Sequence, residues 1–262
     1  MRRNKLREML KAGHPTLGTH LHSSWPGIVE VVGHTGMFDY VEFLAEYAPF
    51  DLYALENFCR AVELFDMTAM IKVDQEPRRF LAQRSIGSGF QSVLFADVRG
   101  VEDAGECVRA VRPETPDTNG SHGVAQRRIA YMFEGRTNGY VQALNDVVIA
   151  LMIEKKSAVD CLEEILSIPG IDMVQFGRAD YCMSVGRAGE INHSDTKAVY
   201  KHVIETCVKM NVAPRAEINS LDETKFFMDL GVKHFSIGTD IVILHDWLKQ
   251  NGEKLRKTLS DC

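Results

Sequence analysis

Short apolar runs alternate with longer segments of helical period along this chain, and the alternation persists to its end. Residues 17–21 read as a first strand, followed by a helix over 26–35 with Pro26 in its first turn, where the missing N–H does no harm. Strands over 39–44 and 68–73 each precede a helix, the first over 52–64 and the second started by Pro77. A fourth strand over 91–95 leads into a helix over 101–111. Residues 147–154 are an apolar run that stops at Glu154, as a strand buried on both faces would, and residues 171–176 make a second such strand before Gly177. Between them a helix over 157–166 is closed by Pro169 and Gly170. Strands over 212–218 and 234–237 complete a set of eight. Eight strands alternating with helices predict an α/β fold, a closed (β/α)8 TIM barrel spanning 1–262 as one domain, with an open doubly wound sheet as its competitor. The rhythm breaks once, over 112–139, a polar interval rich in Pro, Gly, Asn and Arg that reads as a functional lid or a disordered excursion.

The fifth and sixth strand units place the chemistry. Glu154 and Asp180 stand at the exits of neighbouring parallel strands, and the carboxyl ends of such strands form the ligand-binding face of a barrel. Two carboxylates converging there, without a histidine or cysteine beside them, suit a hard divalent cation such as Mg²⁺ or Mn²⁺, which keeps positions open for substrate and water. The plainer alternative is that one acid caps a helix and the other pairs with a surface base.

Composition narrows the partners. The net charge of −6 is mild, and with no basic stripe or aromatic–basic interleaving, nucleic acid is not expected. Six scattered cysteines without a C-x-x-C pair argue against a structural zinc site and a disulfide framework, which fits a reduced, cytoplasmic setting. Residues 1–13 are charged and amphipathic without an apolar signal core, and no run approaches membrane-spanning length.

Several blocks carry a family likeness: Ile153-Glu154, Ile168-Pro169-Gly170-Ile171-Asp172, Phe176-Gly177-Arg178-Ala179-Asp180 and Val185-Gly186, with Gly36 to Tyr40, Ala45 to Pro49 and Gly238-Thr239-Asp240 around them. In order and spacing they resemble the HpcH/HpaI family of metal-dependent 2-oxo acid aldolases, which also holds citrate-lyase-like members. The resemblance implies a TIM barrel of the phosphoenolpyruvate/pyruvate type, a metal held by Glu154 and Asp180, and a turn from Gly177 through Arg178 and Ala179 that offers backbone N–H groups to a substrate carboxylate. It also implies a homo-oligomer. A 2-oxo acid would chelate the metal, whose Lewis acidity would stabilise the enolate left when a neighbouring carbon bond breaks.

Four positions depart from that family's pattern. Tyr47 stands where a loop histidine is expected, and an ordinary phenol is a weak base at neutral pH. The acid expected near the fourth strand is Gly87 or its neighbour Ile86, the arginine expected on strand three is Lys72, and the glutamine two residues before the metal glutamate is Met152. Replacement groups are Lys72, Tyr47, and Arg215 with Glu217, which share one face of the seventh strand; Glu46 and His20 read as substrate contacts. Arg215 and Glu217 also fit a polar layer inside the barrel, paired with Lys72 or Glu42.

His20 and His22 resemble the His-x-His pair of zinc amidohydrolases, with Asp240 where those enzymes use a strand-eight aspartate, but the fifth and sixth exits carry Glu154 and Gly177 in place of nitrogen ligands. His14, His34, His122, His193, His202, His234 and His245 read as surface or loop residues. Arg127, Arg128 and Arg136 are candidate contacts for an acidic substrate or a neighbouring subunit, with solvated charge as the default. The reading that results is a carbon–carbon lyase acting on a 2-oxo acid or dicarboxylate through a metal-stabilised enolate. Its alternatives are a decarboxylase, hydratase or other lyase on the same scaffold, a non-catalytic carboxylate-binding barrel, and, last, the zinc hydrolase.

Overall fold

The computed structural model describes residues 2–124, 133 and 137–261. Eight parallel strands close into a barrel in chain order: β1 (Thr16–Leu21), β2 (Tyr40–Leu44), β3 (Thr68–Val73), β4 (Ser92–Val98), β5 (Val148–Ile153), β6 (Met173–Phe176), β7 (Ala213–Ile218) and β8 (His234–Thr239). β8 pairs with β1 to close the ring, so the closed barrel stands and the open sheet does not.

Alternation along each strand sorts two cores. On β5, Ile149, Leu151 and Ile153 face the helices and join the large outer core, whereas Val148, Ala150 and Met152 face the barrel axis with Tyr40, Met70, Leu94 and Met173. Gly18 makes room for this interior, because a Cβ there would stand 2.2 Å from the Tyr40 ring.

The base of the barrel is sealed by helix Lys5–Lys11, in a stretch that the sequence marks only as charged and amphipathic. Its Leu6 is fully buried among the axial side chains. The Asn4 amide donates to the carbonyls of Gln91 and Asp146 at 2.8 and 2.9 Å, and Arg7 pairs with both carboxylate oxygens of Asp172. The expected helix over 157–166 is two short ones, Lys156–Asp160 and Leu162–Leu166, broken at Cys161.

The described flanks of the 112–139 interval lie at the same base, since helix Val101–Val111 descends from the exit of β4 and β5 starts at Val148. Arg112 anchors one flank by donating to the carbonyls of Leu144, Val147 and Gly170. Arg127, Arg128 and Arg136 fall outside the described residues.

The last helix, Asp240–Ser260, buries none of its residues. Ile241, Leu244, Leu248, Leu255 and Leu259 fall on one helical stripe and are each at least half exposed, as is Trp247. An apolar groove lined by Leu17, Ile218, Met228, Val232, Phe235 and Ile237 runs along β1, β7 and β8, where the eighth helix of a barrel would pack. Among the described residues, no helix is long and apolar enough to cross a membrane.

Candidate active site

A cleft of about 260 Å³ opens at the carboxyl ends of the strands, and it brings together His20, Tyr47, Lys72, Glu154, Glu217 and the turn Gly177–Arg178–Ala179–Asp180. Glu154 follows the last residue of β5 on its inward face and is buried. Its Oε1 accepts the Asp97 N–H at 2.7 Å. That amide is aimed by an irregularity: the β4–β5 register slips between Phe95 and Val98, and Asp97 adopts φ 59, in the left-handed region. On the other side, a Cβ at Gly177 would stand 2.3 Å from Glu154 Oε2, so the turn must begin with glycine to leave the carboxylate in place.

Burial pushes the Glu154 carboxyl above the usual carboxylate range; Lys72 and the Asp97 amide oppose that rise, and the negative charges of Asp180 and Glu46 add to it. Asp180 sits in the first turn of helix Arg178–Ser184. Lys155 bridges Asp180 and Asp97, with Nζ at 3.2 and 2.5 Å from their carboxylates.

Lys72 projects from β3 into the cleft, where Nζ lies 2.6 Å from Glu46 and donates to Tyr47 Oη at 2.7 Å. Burial alone would lower its pKa, but Tyr47 and Glu46 outweigh that and leave it raised, so this ammonium stays charged. Gly87, in the position expected for an acid, is buried within helix Arg78–Ser88.

Arg215 lies beneath the cleft, fully buried, and pairs with the buried Glu42. Its Nε donates to Tyr40 Oη at 2.9 Å, and its Nη2 stands 3.0 Å from His20 Nε2. Burial drives the Glu42 carboxyl up, yet Arg215 and then His20 hold it at about 2. Glu217, one inward position higher on β7, is 43% exposed at its side chain and accepts from Gln175 Nε2 at 3.0 Å.

His20 and His22 do not converge: His20 Nε2 is shared among Arg215, Ser236 and Glu42, while His22 Nδ1 lies 3.9 Å from Asp240. Two histidines expected at the surface are buried, His122 and His234, the latter with Nδ1 3.0 Å from Thr16 Oγ1. Gln175, Asp97 and Lys155 escaped the sequence reading. Gln175 alone left a visible signal, a polar side chain inside the apolar run of β6.

Among the described residues, no group of three or more His, Cys, Asp or Glu side chains is arranged to hold a metal. A site of two carboxylates completed by substrate and water is still the pattern of a hard divalent cation. The donor set of Glu154 and Asp180 fits it, as does an enclosed carboxylate that feels the charge of Lys72 while Lys72 itself is bound to Glu46.

The family model for HpcH/HpaI aldolase/citrate lyase matches residues 17–244. The chain therefore belongs to that family and is a lyase. Over 258 residues it is 26% identical to a hydroxypyruvate/pyruvate aldolase of Roseovarius nubinhibens, covering 97% of each chain. It superposes on the crystal structure of an HpcH/HpaI aldolase/citrate lyase family protein from Burkholderia cenocepacia with a TM-score of 0.87 at 24% identity, covering 97% of this chain and 100% of that one. A more distant fold match is the CitE protein of Mycobacterium tuberculosis in complex with magnesium and pyruvate, with a TM-score of 0.55 at 10% identity and coverage of 87% of this chain and 86% of that one.

Proposed function

We propose that this lyase makes or breaks a carbon–carbon bond next to the keto group of a 2-oxo acid, by way of an enolate, with Glu154 and Asp180 holding Mg²⁺ or Mn²⁺. The observation that carries this reading is the enclosed Glu154 carboxylate, which shares one cleft with Asp180 and is kept in place by Gly177 and the Asp97 amide. A divalent cation bound there would supply Lewis acidity toward the carboxylate and keto oxygens of the substrate.

The protein supplies the rest. The first N–H groups of helix Arg178–Ser184 have no partner within the helix, which leaves Arg178 and Ala179 able to orient a carboxylate. Lys72 offers a fixed positive charge to the oxygen on which negative charge develops. Arg215 positions His20 from below, and Glu217 faces the group that is added or released at the mouth.

The relative's name gives hydroxypyruvate and pyruvate as the first substrates to try. Calorimetry should find Mn²⁺ binding in the wild type and lose it in Glu154→Gln and Gly177→Ala, the latter because its new methyl displaces the carboxylate. Unchanged affinity in both would remove the metal site. Pyruvate released from a 2-oxo diacid without added aldehyde would separate a lyase or decarboxylase from a condensing enzyme, and CO2 as the only co-product would make the reaction a decarboxylation.

A homo-oligomer is part of this proposal. Its support is the bare groove along β1, β7 and β8 together with a final helix whose apolar stripe has nothing of its own barrel to cover. The occupant we assign to the groove is the Asp240–Ser260 helix of a second copy, because that helix leaves its own barrel at the groove's edge.

A further inference from the structure

We infer that Tyr47 is the group that delivers a proton to the enolate carbon, acting as a neutral phenol positioned by Lys72 and Glu46; this rests on the enolate reading above. Tyr47 and Lys72 line the same cleft as Glu154. An ammonium has hydrogens and no lone pair, so across the 2.7 Å contact Lys72 donates and the phenol oxygen accepts. The phenol hydrogen is thereby left to point at another acceptor. Glu46 is one, within hydrogen-bond reach, but its carboxylate is held at 2.6 Å by Lys72, which weakens its claim on that hydrogen. The other is a nucleophilic carbon brought into the cleft.

Three polar or titratable groups face Tyr47 from the elements around it: Lys72 on β3, Glu46 beside it, and His22 at the exit of β1, with ring centroids 6.2 Å apart. None of them accepts and returns a proton as directly as the phenol can. Lys72 is locked in its charged form by its two partners, and the His22 ring stands outside the cleft lining.

In the step itself the Tyr47 O–H bond breaks and a C–H bond forms from the enolate electron pair, which restores the carbonyl. The negative charge passes to a phenolate oxygen beside Lys72. Tyr47 is 55% exposed, so water can return the lost proton. Burial pushes the phenol up to about 12, with Lys72 opposing. At neutral pH it is a proton source and almost never a base. By microscopic reversibility, removal of a methyl proton from pyruvate must wait for the rare phenolate.

The test is exchange of pyruvate methyl hydrogens for deuterium, followed by NMR with Mg²⁺ present, alongside calorimetric binding of oxalate, a dianion that mimics the enolate. Wild-type exchange should climb about tenfold per pH unit from about pH 6 to 9, and Tyr47→Phe should lose at least about 100-fold while binding oxalate within about threefold of wild type. Replacing every tyrosine by 3-fluorotyrosine lowers the phenol pKa and should speed exchange at neutral pH in the wild type, with no gain in Tyr47→Phe. Lys72→Met should move the pH profile upward. Exchange at the wild-type rate in Tyr47→Phe, or an equal fluorotyrosine gain without Tyr47, overturns the assignment. A wild type that neither exchanges nor binds oxalate overturns the enolate reading itself, which separates that failure from one confined to Tyr47.

Discussion

Arg215 and Glu42 form an ion pair at the centre of the barrel in which neither side chain reaches solvent. Two buried charges are tolerable only together, because the attraction between them offsets the loss of hydration that each suffers. Arg215→Met should therefore destabilise the protein by about 3–5 kcal/mol, whereas adding Glu42→Gln to it should recover most of that loss. Urea denaturation of the two single variants and the double variant checks this; independent, additive losses would mean that the pair is not coupled.

Acid should unfold the protein in a window that these buried groups define. Burial, helped by Lys233 and Arg215, holds the His234 ring at about 4 against 6.5 when unfolded. Between those values the unfolded chain binds the extra proton, so stability falls as the pH drops from 6.5 toward 4. Glu42, held at about 2 against 4.5, extends the loss: its contribution is intact above 4.5 and disappears as pH falls through 2. Denaturation midpoints across this range should show a smaller upper-window slope in His234→Asn than in the wild type. A difference between the two that does not vary with pH would show that His234 is not buried in its neutral form.

The exposed final helix leads to a third expectation. Trp247→Glu with Leu248→Lys puts charge on its apolar face and should convert the proposed oligomer to monomers, as sedimentation would report, without unfolding the barrel to which that helix contributes no buried residue. An unchanged sedimentation coefficient would show that the helix takes no part in assembly.

The barrel was legible because strands of a parallel sheet buried on both faces are short, apolar and interrupted by helices. Thr68–Val73 and Val101–Val111 have the bounds that the pattern gives them. The two acids were also visible, Glu154 because it directly ends an apolar run and Asp180 because it closes the short Gly-Arg-Ala-Asp turn after the next one. What sequence could not give was direction in space. Arg215 and Glu217 alternate with Ala216 and do face the axis, but only the layering of the interior puts Arg215 below the cleft floor and Glu217 at its mouth. The Asp97 amide was invisible because a backbone donor leaves no trace in residue type. The plugging helix near the N-terminus was missed for a related reason: Leu6 and Leu10 mark an apolar face, and nothing local tells what they are to cover.

That helix also bears on how the chain assembles during synthesis. Asn4 finds its carbonyl partners 87 and 142 residues downstream, and Arg7 finds Asp172 after 165. This turn is synthesised well before its partners and is therefore among the last to be seated, since β4, β5 and β6 must exist before Asn4 and Arg7 can dock. Contacts of such long sequence separation are slow to form. A bulky fusion placed ahead of Asn4 would act on this final docking, and so on the yield of native protein, more than on the finished enzyme.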